Sequence, residues 1–195
     1  MWSGEKAACS MLYIKIDIGP WNKMISVNLI NRNNIFFHPE LFGGEGYAFS
    51  VECFSKATEV AIGYMGLYYY RVDNNTSEMS KYRSRTFHSS LKAVEIMNNT
   101  INDNKKIHRA IRYAEWNVYV AYLQALIVSK SENDNKNDYA LLKRKCRLLA
   151  YRSIYASISI KRKLRDLLYI FFPVKIAKFC INKKKIREYS NQKAT

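Results

Sequence analysis

Apolar residues recur three and four apart over long stretches of this chain, a spacing that predicts helices. The clearest case covers 107–128, where Ile107, Ile111, Ala114, Val118, Ala121, Ala125 and Val128 follow at intervals of 4, 3, 4, 3, 4 and 3. Trp116, Tyr119, Leu123 and Leu126 make other faces of that segment apolar, so a well-buried helix is expected. Near the front, Ala7, Ala8, Met11 and Leu12 share one face of a short helix over 4–13. Gly19-Pro20 breaks the chain, and Pro20 suits the first turn of a next helix over 21–31, with Met24, Ile25 and Leu29 at helical spacing. Gly43-Gly44 marks a turn, after which Tyr47, Val51 and Phe54 give a helix over 45–57. Two segments suit strands instead: Ile35-Phe36-Phe37, and the aromatic run Leu67 to Val72, closed by the turn Asp73-Asn74-Asn75. Beyond Ser80 the pattern is helical throughout, with a polar loop over 131–138 and helices over 139–159 and 161–187, the second interrupted by Pro173.

Composition bounds the class of molecule. A chain of 195 residues with 48% hydrophobic and 14% aromatic content can bury a core, and its 3 Pro and 7 Gly exclude a linker-like chain. No apolar run reaches the roughly 18 residues of a spanning helix, and the first residues do not form a basic start followed by an apolar stretch. Charge divides the chain. Residues 1–100 hold 10 basic and 9 acidic side chains, whereas 101–195 hold 22 and 7. A near-neutral front is thus joined to a strongly basic rear, which suggests a polyanionic partner for the rear. Cys9, Cys53, Cys146 and Cys180 are too dispersed for a metal clip, and His38, His88 and His108 form no metal-ligand pattern. The cysteines are therefore expected as reduced, buried thiols of a cytosolic protein.

Residues 18–80 carry an ordered set of short motifs. They run Gly19-Pro20-Trp21-Asn22-Lys23, Ile35-Phe36-Phe37-His38-Pro39-Glu40, Gly44-Glu45-Gly46-Tyr47-Ala48-Phe49, Leu67-Tyr68-Tyr69-Tyr70-Arg71 and Asn75-Thr76-Ser77. No single piece is specific, but five in this order resemble the second half of the catalytic domain of family 2 glycosyltransferases, the bacterial enzymes that build capsular and other envelope glycans. The resemblance implies an α/β fold. Residues 1–80 would be the C-terminal, acceptor-side part of a GT-A layer, and residues 81–195 a basic, mainly helical extension. It also implies a nucleotide-sugar donor, a divalent metal (Mg or Mn) and a glycan or lipid-linked acceptor. Transfer would be inverting: a carboxylate takes the proton from the acceptor hydroxyl as that oxygen attacks the anomeric carbon.

Two departures from the family pattern matter. Its Gly-Glu-Asp reads Gly44-Glu45-Gly46 here, so the Asp usually assigned as base is absent. Glu45 is the remaining candidate base, and equally a helix-start carboxylate favoured by the helix dipole. Second, the family's donor-binding half and its Asp-x-Asp metal pair are missing from the sequence. Met1 then reads as an internal start, and the chain as the product of a truncated or interrupted transferase gene, whose missing half, if it exists, would be a separate chain and partner. On that expectation the chain alone binds donor weakly or not at all, and sugar transfer by the purified chain would contradict it.

Each remaining candidate has a plainer reading beside it. Trp21 and Lys23 would contact acceptor by resemblance, while Trp21 also suits a core anchor and Lys23 a solvent-facing or carboxylate-paired cation. Tyr70 and its neighbours Tyr68 and Tyr69 would stack on sugar rings or fill the core; Arg71 would meet a phosphate or a surface carboxylate. Ser77 suits a helix cap near Lys81. His38 stands near the expected site rim, and His88 and His108 read as ordinary helix residues. In the basic rear, Lys143, Arg144, Lys145 and Arg147 form one cluster. Lys161, Arg162, Lys163 and Arg165 form a second, and Lys183, Lys184, Lys185 and Arg187 a third. The apolar stretch 167–174 between the last two suits a helix lying on an anionic leaflet, peripheral at the inner face of the cell membrane. A solvated basic face over a helical bundle is the plainer alternative. Nucleic-acid binding is disfavoured, because the aromatics sit within apolar runs and no recognition motif is present. A noncatalytic membrane-surface or protein-interaction module is the alternative to the transferase.

Overall fold

A computed structural model of the chain describes residues 1–63, 65, 66, 68, 82–101 and 104–192, excluding the side chains of Lys185 and of 187–192. Two compact units emerge, Met1–Glu115 and Trp116–Thr195, and the division falls inside a helix.

In the first unit, Ser3 caps α1 (Gly4–Leu12), its hydroxyl accepting from the Lys6 amide at 3.3 Å. Ala7, Ala8, Met11 and Leu12 are fully buried. Helix α1 packs on α3 (Glu45–Lys56), and α3 packs in turn on α4 (Ser84–Thr100). Val51 and Cys53 of α3 join the buried set, as do Phe87 and Met97 of α4, with Ile107 and Ile111 from the start of α5 (Lys105–Ser129). A small side cluster sets Ile35, Phe49 and Cys53 against Leu29 and Ile30 of α2 (Val27–Arg32). Strands β1 (Trp2–Ser3) and β2 (Glu59–Val60) form one antiparallel ribbon, Trp2 opposite Val60. Glu5, in the first turn of α1, meets Lys106 at 2.9 Å and accepts from Asn104 at 2.9 Å, tying α1 to the start of α5.

The second unit centres on Trp116 of α5. Its indole N–H donates to the Cys146 carbonyl of α6 (Lys136–Leu149) at 3.0 Å. Its ring stands edge-on to Tyr169, centroids 5.5 Å apart. The Tyr169 hydroxyl accepts from Gln124 at 3.3 Å. Beyond α6 come α7 (Arg152–Tyr155), α8 (Ile160–Leu167), a 3-10 turn (Leu168–Ile170) and α9 (Pro173–Gln192). The helical stretch over 161–187 is interrupted ahead of Pro173, as expected, and Pro173 then opens α9, as a residue without an amide donor can at a first helical position.

The expected α/β GT-A layer is corrected by this architecture. The described residues are mainly helical, and their only sheet is the two-residue ribbon. Ile35-Phe36-Phe37 is not a strand. Ile35 is buried beside Phe49, and the Phe37 ring stacks on Phe49 with centroids 4.0 Å apart, so the segment is held by packing on α3, without a strand partner among the described residues. The expected strand over 67–72 lies outside the described residues except for Tyr68, which is exposed. The helix expected over 21–31 shrinks to α2. Ahead of it, the Lys23 ammonium turns back onto the carbonyls of Asp17 and Gly19 and holds a loop there. The helix expected over 139–159 resolves into α6 and α7 with a break at Ala150 and Tyr151. The helices over 4–13, 45–57 and 107–128 stand as expected, as α1, α3 and α5.

Candidate functional site

Helix α3 begins abruptly. Gly44, its N-cap, has a φ of 85°, a left-handed conformation that glycine adopts without a Cβ penalty, and no side chain caps the turn. Glu45 is the first helical residue and is exposed. An acidic side chain there is favoured by the partial positive charge of the helix start. Upstream, Ser89 of α4 pins the approach. Its hydroxyl accepts from the Phe42 amide at 2.7 Å and donates to the Gly43 carbonyl at 3.1 Å.

Gly46 explains the departure from Gly-Glu-Asp in steric terms. A Cβ on Gly46 would lie 2.6 Å from Pro20 Cδ. The turn containing Glu45 therefore abuts the Gly19-Pro20-Trp21 turn, and an Asp at 46 would require one of them to move. Trp21 is 46% exposed, so its reading as a core anchor is corrected. Its ring covers Gly19 and stacks with Tyr68, centroids 6.3 Å apart and planes 29° from parallel. Lys23 is partly buried. Its ammonium also meets the Asn22 side chain at 2.7 Å, and burial lowers its pKa, with the charge of Asp17 opposing. Four of the five motif pieces thus meet in space: the Pro20 and Trp21 turn, Phe37 on Phe49, the Gly44–Gly46 turn and Tyr68. Tyr70, Arg71 and Ser77 lie outside the described residues.

Sequence reasoning missed two neighbours. Glu52 lies seven residues after Glu45, two turns along the same helix face. Burial raises its pKa, and the nearby His38 and Lys56 partly offset this. His38 sits 3.6 Å from Glu40 and tilts against Phe36. Helical spacing from Glu45 was the available signal for Glu52. No signal pointed to Ser89. Beside the turn, an open cleft of about 320 Å³ is lined by Phe42, Arg83, Arg85 and Thr86, with the Arg85 guanidinium 3.2 Å over the Phe42 ring. Two guanidiniums at a cleft suit an anionic group, and one of them already lies over the Phe42 face.

Among the described residues no three His, Cys, Asp or Glu side chains come together to hold a metal ion. The divalent metal implied by the resemblance finds no group of three such donors there. His88 and His108 lie in α4 and α5 as ordinary helix residues. The cysteines are free thiols, with Cys53 and Cys146 buried. Burial pushes the Cys9 and Cys53 thiols up to about 11, out of the nucleophilic range. In the second unit Lys161, Lys183 and Lys184 are exposed, and Arg162, Lys163 and Arg165 are partly so. Among the described residues no helix is long and apolar enough to cross a membrane. Comparisons with models of known protein families, with curated proteins and with solved structures find no match.

Proposed function

We propose that the first unit is the acceptor side of a sugar transferase of polysaccharide biosynthesis. A glycan stacks on the exposed Trp21–Tyr68 pair, and Glu45 takes the proton from its reacting hydroxyl. That oxygen then forms a bond to the anomeric carbon of a nucleotide-sugar as the bond to the departing diphosphate breaks. The observation that carries the reading is the abutment of Pro20 on Gly46, which brings the turn that precedes the exposed Trp21–Tyr68 pair against the turn that carries the exposed Glu45. Aromatic faces suit the C–H faces of sugar rings, and a carboxylate is a fitting base for an alcohol. None of the described residues is assigned to the donor or to a metal, and no step is routed through one.

Isothermal titration tests this. The purified chain is titrated with methyl glycosides of hexoses and N-acetylhexosamines, with short oligosaccharides, and with uridine-diphosphate sugars. The expected result is saturable glycan binding, weakened about tenfold or more by Trp21→Ala, with weak or no donor binding. Glu45→Gln should leave glycan binding intact, and where transfer is measurable it should slow it about a hundredfold or more. Absence of glycan binding would overturn the reading, as would indifference to Trp21→Ala.

A further inference from the structure

The second unit carries an apolar ridge that its own core does not use. From α8 into α9, the buried positions are Asp166, Tyr169, Pro173 and Ala177, spaced 3, 4 and 4 along the chain. The opposite positions are apolar. Ile160, Leu164, Leu168, Phe171 and Phe172 are 76, 61, 45, 67 and 50% exposed. The first three are spaced by four and share one helical face, which Phe171 and Phe172 extend. Ser159 fixes the start of this face, its hydroxyl accepting from the Arg162 amide at 3.3 Å.

Cations border the ridge. Lys161, Lys163 and Arg165 share its helix, the Lys163 ammonium donating to the Ile154 carbonyl at 2.7 Å, and Lys175 follows with its ammonium 5.5 Å over the Phe172 ring. Asp166 is the one carboxylate in 160–172; it is fully buried and engaged by Arg165 at 2.6 Å. The surface therefore presents apolar side chains inside a positive border.

We propose that residues 160–172 form an in-plane membrane-docking element. The ridge enters the boundary between headgroups and acyl chains, and the bordering cations meet anionic headgroups. Apolar side chains rimmed by long cations are what such a boundary accommodates. A second copy of this chain would bring one positive border against another. A nucleic acid would satisfy the cations, but Ile160, Leu164 and Leu168 offer it neither a hydrogen-bonding group nor a stacking plane.

Vesicle flotation of the full chain tests the proposal, with vesicles of phosphatidylcholine alone and of phosphatidylcholine with phosphatidylglycerol. The expected result is flotation with the anionic vesicles, reduced but not abolished at raised salt. Phe171→Ser with Phe172→Ser should weaken partitioning about tenfold or more. Both side chains are exposed, so circular dichroism should show the fold retained. Lys161→Glu with Lys175→Glu should weaken binding to anionic vesicles alone. Failure to float, full release by salt, or indifference to the paired Phe substitution would overturn the proposal. So would salt-sensitive nucleic-acid binding in place of vesicle binding, or a dimer that the Phe substitutions dissolve.

Discussion

At position 46 a hydrogen stands where a side chain would collide with Pro20 Cδ, and that contact couples two loops distant in sequence. Alanine is favoured over glycine within a helix by about 1 kcal/mol. Overpacking against a proline ring costs about 1–3 kcal/mol. Gly46→Ala is therefore expected to lower stability in urea unfolding, by up to about 2 kcal/mol, despite the better helix former. A stabilised variant would show that the two turns do not abut. At this scale the sequence was partly legible. Glu45 could be read as a first-turn acid because an acidic residue after Gly-Gly fits a helix start. The core-anchor reading of Trp21 fails although a large aromatic is usually buried: the ring is 46% exposed, and the Lys23 ammonium nearby turns back onto the Asp17 and Gly19 carbonyls, which composition does not reveal.

Element types followed periodicity where a single core governed the helix. In α1, every residue of the expected apolar face is buried. In α5, the expected stripe holds only through Ala114. Ala121 and Val128 are exposed, and Trp116, Tyr119, Leu123 and Leu126 form the buried stripe of the second half. Within α5 the buried positions change face between the two halves, and a regular spacing over both hides the change. The expected strand at Ile35 to Phe37 failed for a related reason. Short aromatic runs bury as well against a helix as in a sheet. Helix α3 also carries a pH dependence. Burial raises the Glu52 pKa above its ordinary 4.5, with the charges of His38 and Lys56 opposing. The folded state then holds that proton more tightly than the unfolded chain. The contribution is fully present below the ordinary value and is lost as pH rises through the raised one. Glu5 has the opposite sign. Hydrogen bonds from Lys106 and Asn104 lower its pKa, so its contribution is present above the ordinary value and lost on acidification. Glu52→Gln should flatten the decline in melting temperature just above pH 4.5 and leave the acid limb unchanged. An unaltered profile there would contradict the burial of Glu52.

For the whole molecule, charge was the most readable property. The near-neutral front holds the exposed Trp21 and Glu45, and the basic rear holds the cation-bordered ridge. The fold class was less legible, because the resemblance carried an α/β expectation that the helical packing of the described residues of the first unit does not follow. The motif pieces nevertheless gather, and on the proposed function they gather around a glycan. The chain holds three tryptophans in unlike settings. Trp21 is exposed beside Tyr68, Trp2 lies under the Lys6 ammonium, and Trp116 is buried and donates to Cys146. Each indole N–H gives its own resonance in a nitrogen-15 correlation spectrum of the full chain. On titration with short oligosaccharides, the Trp21 indole and the amides of residues 21–23 and 44–46 should shift together and saturate, while Trp2 and Trp116 stay in place. A Trp21 indole that does not move at saturating oligosaccharide would contradict the account.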